Sequence, residues 1–300
     1  VDTFIIIWAF AIGTFVGSFL NVCIYRIPRK CLSIWKPLFS MCPSCLKTIR
    51  WYDNIPLLSY MALRGRCRFC GAKIAFRYFV VEALTGFLFA LVASRYLAEG
   101  GWSGPLAITY AAFIAALIVC TFIDIDFRII PDAVDLKGIV AAPLLSLLIP
   151  AMHERDLPDV LGLLHRLSVR NESVLEVASS THIRSLVASL FGIFVGAGII
   201  YAIGVLGKIV FRKEAMGFGD VKFMGMIGGF LGWKGVIIGL LLACVLGALL
   251  GILIKFSTKE SYIPFGPFLS LGALITLLYR EEVVYFAFVI WPGFLRSLTS

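Results

Sequence analysis

Two aspartates and four cysteines are the residues whose types and settings point to chemistry. Asp124 lies in Phe122-Ile123-Asp124-Ile125-Asp126-Phe127 and Asp220 in Met216-Gly217-Phe218-Gly219-Asp220-Val221-Lys222, each at the end of an apolar run. A carboxylate at a membrane margin is expensive and calls for a functional account. Two carboxylates held close cannot both ionise cheaply, so they share a proton. One then acts as general base on a water while the other donates to a substrate carbonyl, which hydrolyses a peptide bond. Gly217 and Gly219 lack side chains and let a peptide backbone approach Asp220. Taken alone, Gly-x-Gly-Asp fits equally with an aspartate that merely pairs with Lys222. Three further acids compete for the role of Asp124. Asp126 lies about 200° around a helix from Asp124, at roughly 100° per residue, so the two cannot face one partner equally. Asp132 and Asp135 open the next apolar run, where acids serve as caps and dipole partners.

The cysteines form Cys42-Pro43-Ser44-Cys45 and Cys67-Arg68-Phe69-Cys70, with 21 residues between the two motifs. Two such knuckles can deliver four thiolates to one tetrahedral ion, and zinc suits an all-sulfur structural site. A small domain with little apolar core needs such a staple. The competing readings are a redox pair and a disulfide framework. A reducing compartment and the lack of a surrounding βαβ pattern count against both. Cys23, Cys31, Cys120 and Cys244 are unpaired by spacing; three of them fall in or beside apolar runs and read as small buried apolar residues.

The elements that must position these residues are apolar helices. The chain has 300 residues, of which 60% are hydrophobic and 15% charged, with a mean hydropathy of +0.95. That is more apolar surface than one water-soluble core can hide, so the chain reads as an all-α polytopic membrane protein. About eight runs approach the roughly 20 residues that a helix needs to cross the hydrocarbon. They span Phe4–Tyr25, Tyr78–Leu97, Pro105–Ile125, Ala133–Met152, Ser185–Phe211, Val221–Trp233, Gly235–Phe256 and Ile263–Tyr279. A last run, Val283–Leu295, is short, contains a proline and reads as interfacial. The first run leads into a basic segment rather than a cleavage site and reads as a retained anchor.

Orientation follows from the positive charge. Arg26 to Arg77 carries eleven Lys and Arg against the single acid Asp53, which outweighs the whole-chain excess of +9. Short basic loops stay in the cytoplasm. This loop is therefore placed inside, in contact with anionic lipid, and is not read as a nucleic-acid surface. Alternation then brings Asp124 and Asp220 to the cytoplasmic ends of the third and sixth runs. The segment 153–184 falls outside; its stretch Val160–Leu164 is expected to form a short amphipathic helix, and His153, His165 and His182 are expected to be solvated. Four small-residue spacings, Gly225/Gly229, Gly228/Gly232, Gly235/Gly239 and Gly247/Gly251, predict close helix packing within the bundle.

Several motifs, taken in order, resemble one known family. They are Gly17-Ser18-Phe19-Leu20-Asn21-Val22, the two cysteine pairs, Asn54-Ile55-Pro56-Leu57-Leu58-Ser59-Tyr60, Arg77-Tyr78 before Glu82, Ile123-Asp124-Ile125-Asp126, Pro131-Asp132, the segment around Asp220, and Ile263-Pro264-Phe265-Gly266-Pro267. The chain resembles the prepilin peptidases, membrane-embedded aspartic proteases that process type IV prepilins and the pseudopilins of type II secretion. The resemblance implies that Asp124 and Asp220 are the catalytic pair and that Cys42, Cys45, Cys67 and Cys70 bind zinc. It also implies cleavage of a basic leader after glycine on the cytoplasmic face of a bacterial inner membrane, and N-methylation of the new N-terminus with S-adenosylmethionine. No Rossmann-type glycine fingerprint locates the methyl donor. The domains expected are a first transmembrane helix (1–25), a cytoplasmic zinc-binding domain (26–77) and a membrane-embedded peptidase domain (78–300) with its outer loop at 153–184.

Two other function classes fit parts of the pattern. An ion-coupled transporter could use membrane aspartates as a proton relay, but it should place them nearer mid-span and show an internal repeat. A quinone-linked thiol oxidoreductase should hold its cysteines on the oxidising side. The sequence carries no mark of oligomeric state.

Overall fold

A computed structural model describes residues 2–29, 40–98, 103–156, 180–212, 216–257 and 264–285. The described residues are mainly helical; they hold no strand beyond two isolated antiparallel bridges, Met41 with Thr48 and Arg66 with Lys73. Five of these helices are long and apolar enough to cross a membrane. The chain forms two compact units, Val1–Val134 and Asp135–Ser300.

In the first unit, α1 (Asp2–Arg26) leads to a cysteine-rich module that contains a 3₁₀ turn (Trp51–Asn54) and the short helix α2 (Leu58–Ala62). Then come α3 (Arg77–Ala93), which continues as a π-helical turn over Ser94–Ala98, and α4 (Gly104–Phe127). α1 meets α3 at glycines. A methyl carbon at Gly13 would lie 2.8 Å from the Gly86 Cα, and one at Gly17 would lie 2.8 Å from the Glu82 Cα. Lipid tails are as apolar as leucine, so such helices associate through close van der Waals fit rather than hydrophobic drive. α4 starts with Pro105, pre-set for a first helical turn, and buries Phe113, Ile114, Leu117, Ile118 and Ile123. Arg128 ends it in the left-handed conformation (φ 57°), with its N–H donating to the Asp124 carbonyl at 2.9 Å.

α5 (Asp132–Leu148) opens the second unit and runs into a 3₁₀ segment, Pro150–Asp156. α6 (Thr181–Phe211), α7 (Phe218–Ser257) and α8 (Gly266–Tyr285) follow. The expected runs Val221–Trp233 and Gly235–Phe256 form the single helix α7, broken at Gly232, where φ 72° and ψ 175° favour glycine. α5, with 17 residues and an internal Pro143, and α8, with a non-helical Tyr279, are not among the five span-length helices. The glycine spacings mark real contacts within this unit. Gly228 meets Gly192 of α6 backbone to backbone, Gly229 meets Ala142 of α5, and Gly239 meets Gly272 of α8.

His153 corrects an expectation. It is buried, and its Nε2 donates to the Gly229 carbonyl at 3.1 Å, where the Ser189 hydroxyl also donates at 2.9 Å. The break at Gly232 lies three residues beyond this carbonyl, and both side chains converge on it. His182 is exposed as expected, with Nδ1 2.7 Å from the Leu147 carbonyl. Cys31, His165, the stretch 160–164 and the final run beyond Tyr285 lie outside the described residues.

Candidate functional site

The cysteine module is built from two copies of one turn. In the first, the Cys42 N–H donates to Lys47 O at 3.0 Å and the Leu46 N–H to Cys42 O at 2.8 Å. In the second, the Cys67 N–H donates to Ala72 O at 2.8 Å and the Gly71 N–H to Cys67 O at 2.9 Å. Leu46 (φ 58°) and Gly71 (φ 69°) take the same left-handed position, and the two isolated bridges occur at the same offsets. Each turn presents its two sulfurs to one side, and all four Sγ atoms lie within 4.8 Å of one another. Cys42 Sγ and Cys70 Sγ are 3.8 Å apart. A metal about 2.3 Å from each of four tetrahedral sulfurs requires sulfur separations of about 3.8 Å. The four side chains thus fit one metal ion.

The electrostatics of the cluster agree. Hydrogen bonds to the thiolate, led by the Cys45 backbone amide, bring Cys42 down to about 6 against the effect of burial. At Cys70 the Ala72 amide pulls the other way, yet desolvation and the neighbouring sulfurs push the thiol up to about 11. Four thiolates cannot share this space without a cation, and a bound divalent ion inverts that balance. The module is braced by Arg68, whose guanidinium donates Nε–H and Nη2–H bonds to the Asp53 carboxylate at 2.6 to 3.0 Å. That interaction holds the Asp53 carboxyl below its ordinary range.

Asp124 lies in the last turn of α4 and is 6% exposed. Asp126, on the other side of the same turn, pairs with Arg77 of α3. Asp220 lies in the first turn of α7, half-buried, with its N–H donating to Gly217 O at 3.1 Å. The Lys222 ammonium sits 5.5 Å from the centre of the Phe218 ring. Asp135 is fully buried, and its Oδ1 accepts the Leu136 N–H at 2.9 Å.

One ordered carboxylate escaped the sequence reading except as a landmark. Glu82 of α3 is buried; its Oε2 accepts the Leu57 N–H at 2.9 Å, and the Ser18 hydroxyl donates to it as well. Beside it, Asn21 Nδ2 donates to the Tyr78 carbonyl at 3.1 Å. Its signal was the one that singled out Asp124: an acid inside an apolar run.

Helices of this length and apolarity, joined to a four-cysteine module, mark a helical membrane protein with a small insert whose sulfurs could hold one metal ion. Residues 11–96 match the bacterial peptidase A24 N-terminal domain and residues 111–252 match the type IV leader peptidase family. A protein of Myxococcus xanthus named prepilin leader peptidase/N-methyltransferase is 34% identical over 85% of this chain and 64% of its own length. Proteins of the same name from Stutzerimonas stutzeri and Pseudomonas aeruginosa are each 31% identical. The former alignment covers 93% of this chain and 92% of the relative, the latter 91% and 89%. The chain belongs to the type IV leader peptidase family. No solved structure matches it.

Proposed function

We propose that this chain removes the leader of type IV prepilins or pseudopilins and then N-methylates the exposed amine with S-adenosylmethionine. Its relatives carry both activities in their name, and alignments of about nine-tenths of both chains carry the reading. Asp124 and Asp220 are the catalytic dyad. Both lie within the match to the leader peptidase family, 111–252. One carboxylate takes a proton from the attacking water while its protonated partner donates to the scissile carbonyl, the division of labour that a shared proton allows. The burial of Asp124 and the engagement of Asp126 by Arg77 favour Asp124 for this role.

Zinc is the ion that suits Cys42, Cys45, Cys67 and Cys70. It supplies charge and a tetrahedral template there; the residues around it supply the fold of the module. The chain crosses the bacterial inner membrane about eight times, counting α5, both halves of α7 and α8 among the spans. Its cysteine module and both aspartates face the cytoplasm, where prepilin leaders wait.

The test is a purified enzyme in phospholipid vesicles with a type IV prepilin and methyl-labelled S-adenosylmethionine. Leader removal followed by label in the shortened pilin is the expected result. Asp124→Asn and Asp220→Asn should each stop leader removal in a protein that still folds, and full activity in either variant would sink the dyad.

A further inference from the structure

We propose that Glu82 is the carboxylate that receives the substrate's α-ammonium for methyl transfer, an assignment that rests on the methyltransferase half of the proposed function. The two aspartates assigned to hydrolysis lie within 111–252, which leaves the region matched at 11–96 for the second reaction. That region contains two acids, Asp53 and Glu82. Asp53 is committed to Arg68 through a bidentate pair. Glu82 is 9% exposed, and the Leu57 amide and the Ser18 hydroxyl orient it without neutralising it.

No cation pairs with Glu82 among the described residues, although the segment around it is rich in them. Arg77, five residues earlier on α3, is engaged by Asp126. A buried charge without a counter-ion is costly, so a cationic ligand is the natural complement. The loop that holds it is itself constrained. Leu57 stands at φ 60° and ψ −51°, a conformation that a non-glycine residue rarely takes, and its amide is turned onto Glu82. Such strain is a common mark of a functional site.

The chemistry asks two things of a carboxylate here. It first holds the α-ammonium as counter-ion, then takes one of its protons so that the nitrogen lone pair is free. That lone pair forms the new C–N bond at the methyl carbon of the sulfonium donor. The C–S bond breaks with its electron pair left on sulfur, giving a thioether and a methylammonium. Glu82 then returns its proton to water.

The test uses Glu82→Gln, which keeps an oxygen for Leu57 and Ser18 but removes the charge. Binding to the full chain is measured without methyl donor, using a fluorescent apolar peptide with a free N-terminal amine and its N-acetylated twin. The wild type should prefer the free amine at least tenfold, and Glu82→Gln should lose that preference. In the prepilin assay the variant should incorporate at least tenfold less label while leader removal continues. A wild type indifferent to acetylation overturns the assignment, as does a variant that methylates at the wild-type rate or loses both reactions together. A wild type that neither cleaves nor methylates overturns the functional reading itself, and this assignment with it.

Discussion

Asp124 and Asp126 stand two positions apart on α4 in opposite environments, one buried and the other joined to Arg77. Helical periodicity separated them at sequence level, because about 200° of rotation cannot aim both at one partner; that Arg77 holds Asp126 required coordinates. The Asp126→Asn variant should therefore weaken the tie between α3 and α4 yet keep most leader cleavage, whereas Asp124→Asn abolishes it; comparable loss in both variants, measured on one prepilin, would contradict the distinction. The four cysteines were legible from spacing alone, since their chemistry is local and each knuckle closes its own turn. Cys67→Ser should lower bound zinc by elemental analysis and loosen the module. Acid should act in two ways. Protonating the thiolates releases the metal. Asp53 also has a depressed folded value, so its contribution is present above the ordinary carboxyl value of about 3.9 and is lost as pH falls through the lower folded one. Arg68 is half-exposed, which makes this second effect small beside metal loss. Asp53→Asn should flatten only that lowest part of a module unfolding curve measured between about pH 2 and 5.

Helices were the most readable elements, because long apolar runs admit little else across a bilayer. Every expected run overlaps a helix, but two of the runs share α7, α8 runs on past the expected end at Tyr279, and five helices are of span length. What sequence could not give was the continuity of α7, since a glycine at residue 232 reads the same in a turn, a kink or a packing face. The contact between α1 and α3 was also missed. Gly13 and Gly17 have the small-residue spacing, but only the partner positions at Gly86 and Glu82 show that the spacing is used. The second unit offers a clean comparison. A methyl carbon at Gly192 would stand 2.1 Å from the Gly228 carbonyl oxygen, a backbone atom that cannot swing aside, while at Gly198 it would meet nothing within 4 Å. Both positions lie in α6, where alanine is otherwise favoured over glycine by about 1 kcal/mol. Gly198→Ala should thus be neutral or mildly stabilising. Gly192→Ala should cost about 1 to 3 kcal/mol by overpacking, read as a lower unfolding midpoint in detergent. Equal midpoints for the two variants would mean that α6 and α7 do not approach so closely.

At the scale of the whole molecule, the proposed function rests on one asymmetry of charge. In the proposed topology the eleven cations between Arg26 and Arg77 keep that segment inside, and the segment 153–184, with four arginines against five acids, offers no comparable retention. A peptidase that acts on leaders still in the cytoplasm needs its aspartates on that same side. If Asp124 ends its span inside, α5 must carry the chain outward and α6 must bring it back, so that α7 starts with Asp220 at the inner face. The two carboxylates can then meet only if this count of crossings is right, and an error of one span separates them by the full thickness of the bilayer. Alkaline phosphatase, active only after export, reads the count directly. Fusions ending at Arg64 and at Arg128 should be inactive, one ending within 157–179 should be active, and one ending at Lys222 should be inactive again. An active fusion at Arg128 or Lys222, with the other silent, would put the dyad on two sides of the membrane and leave hydrolysis without its second carboxylate.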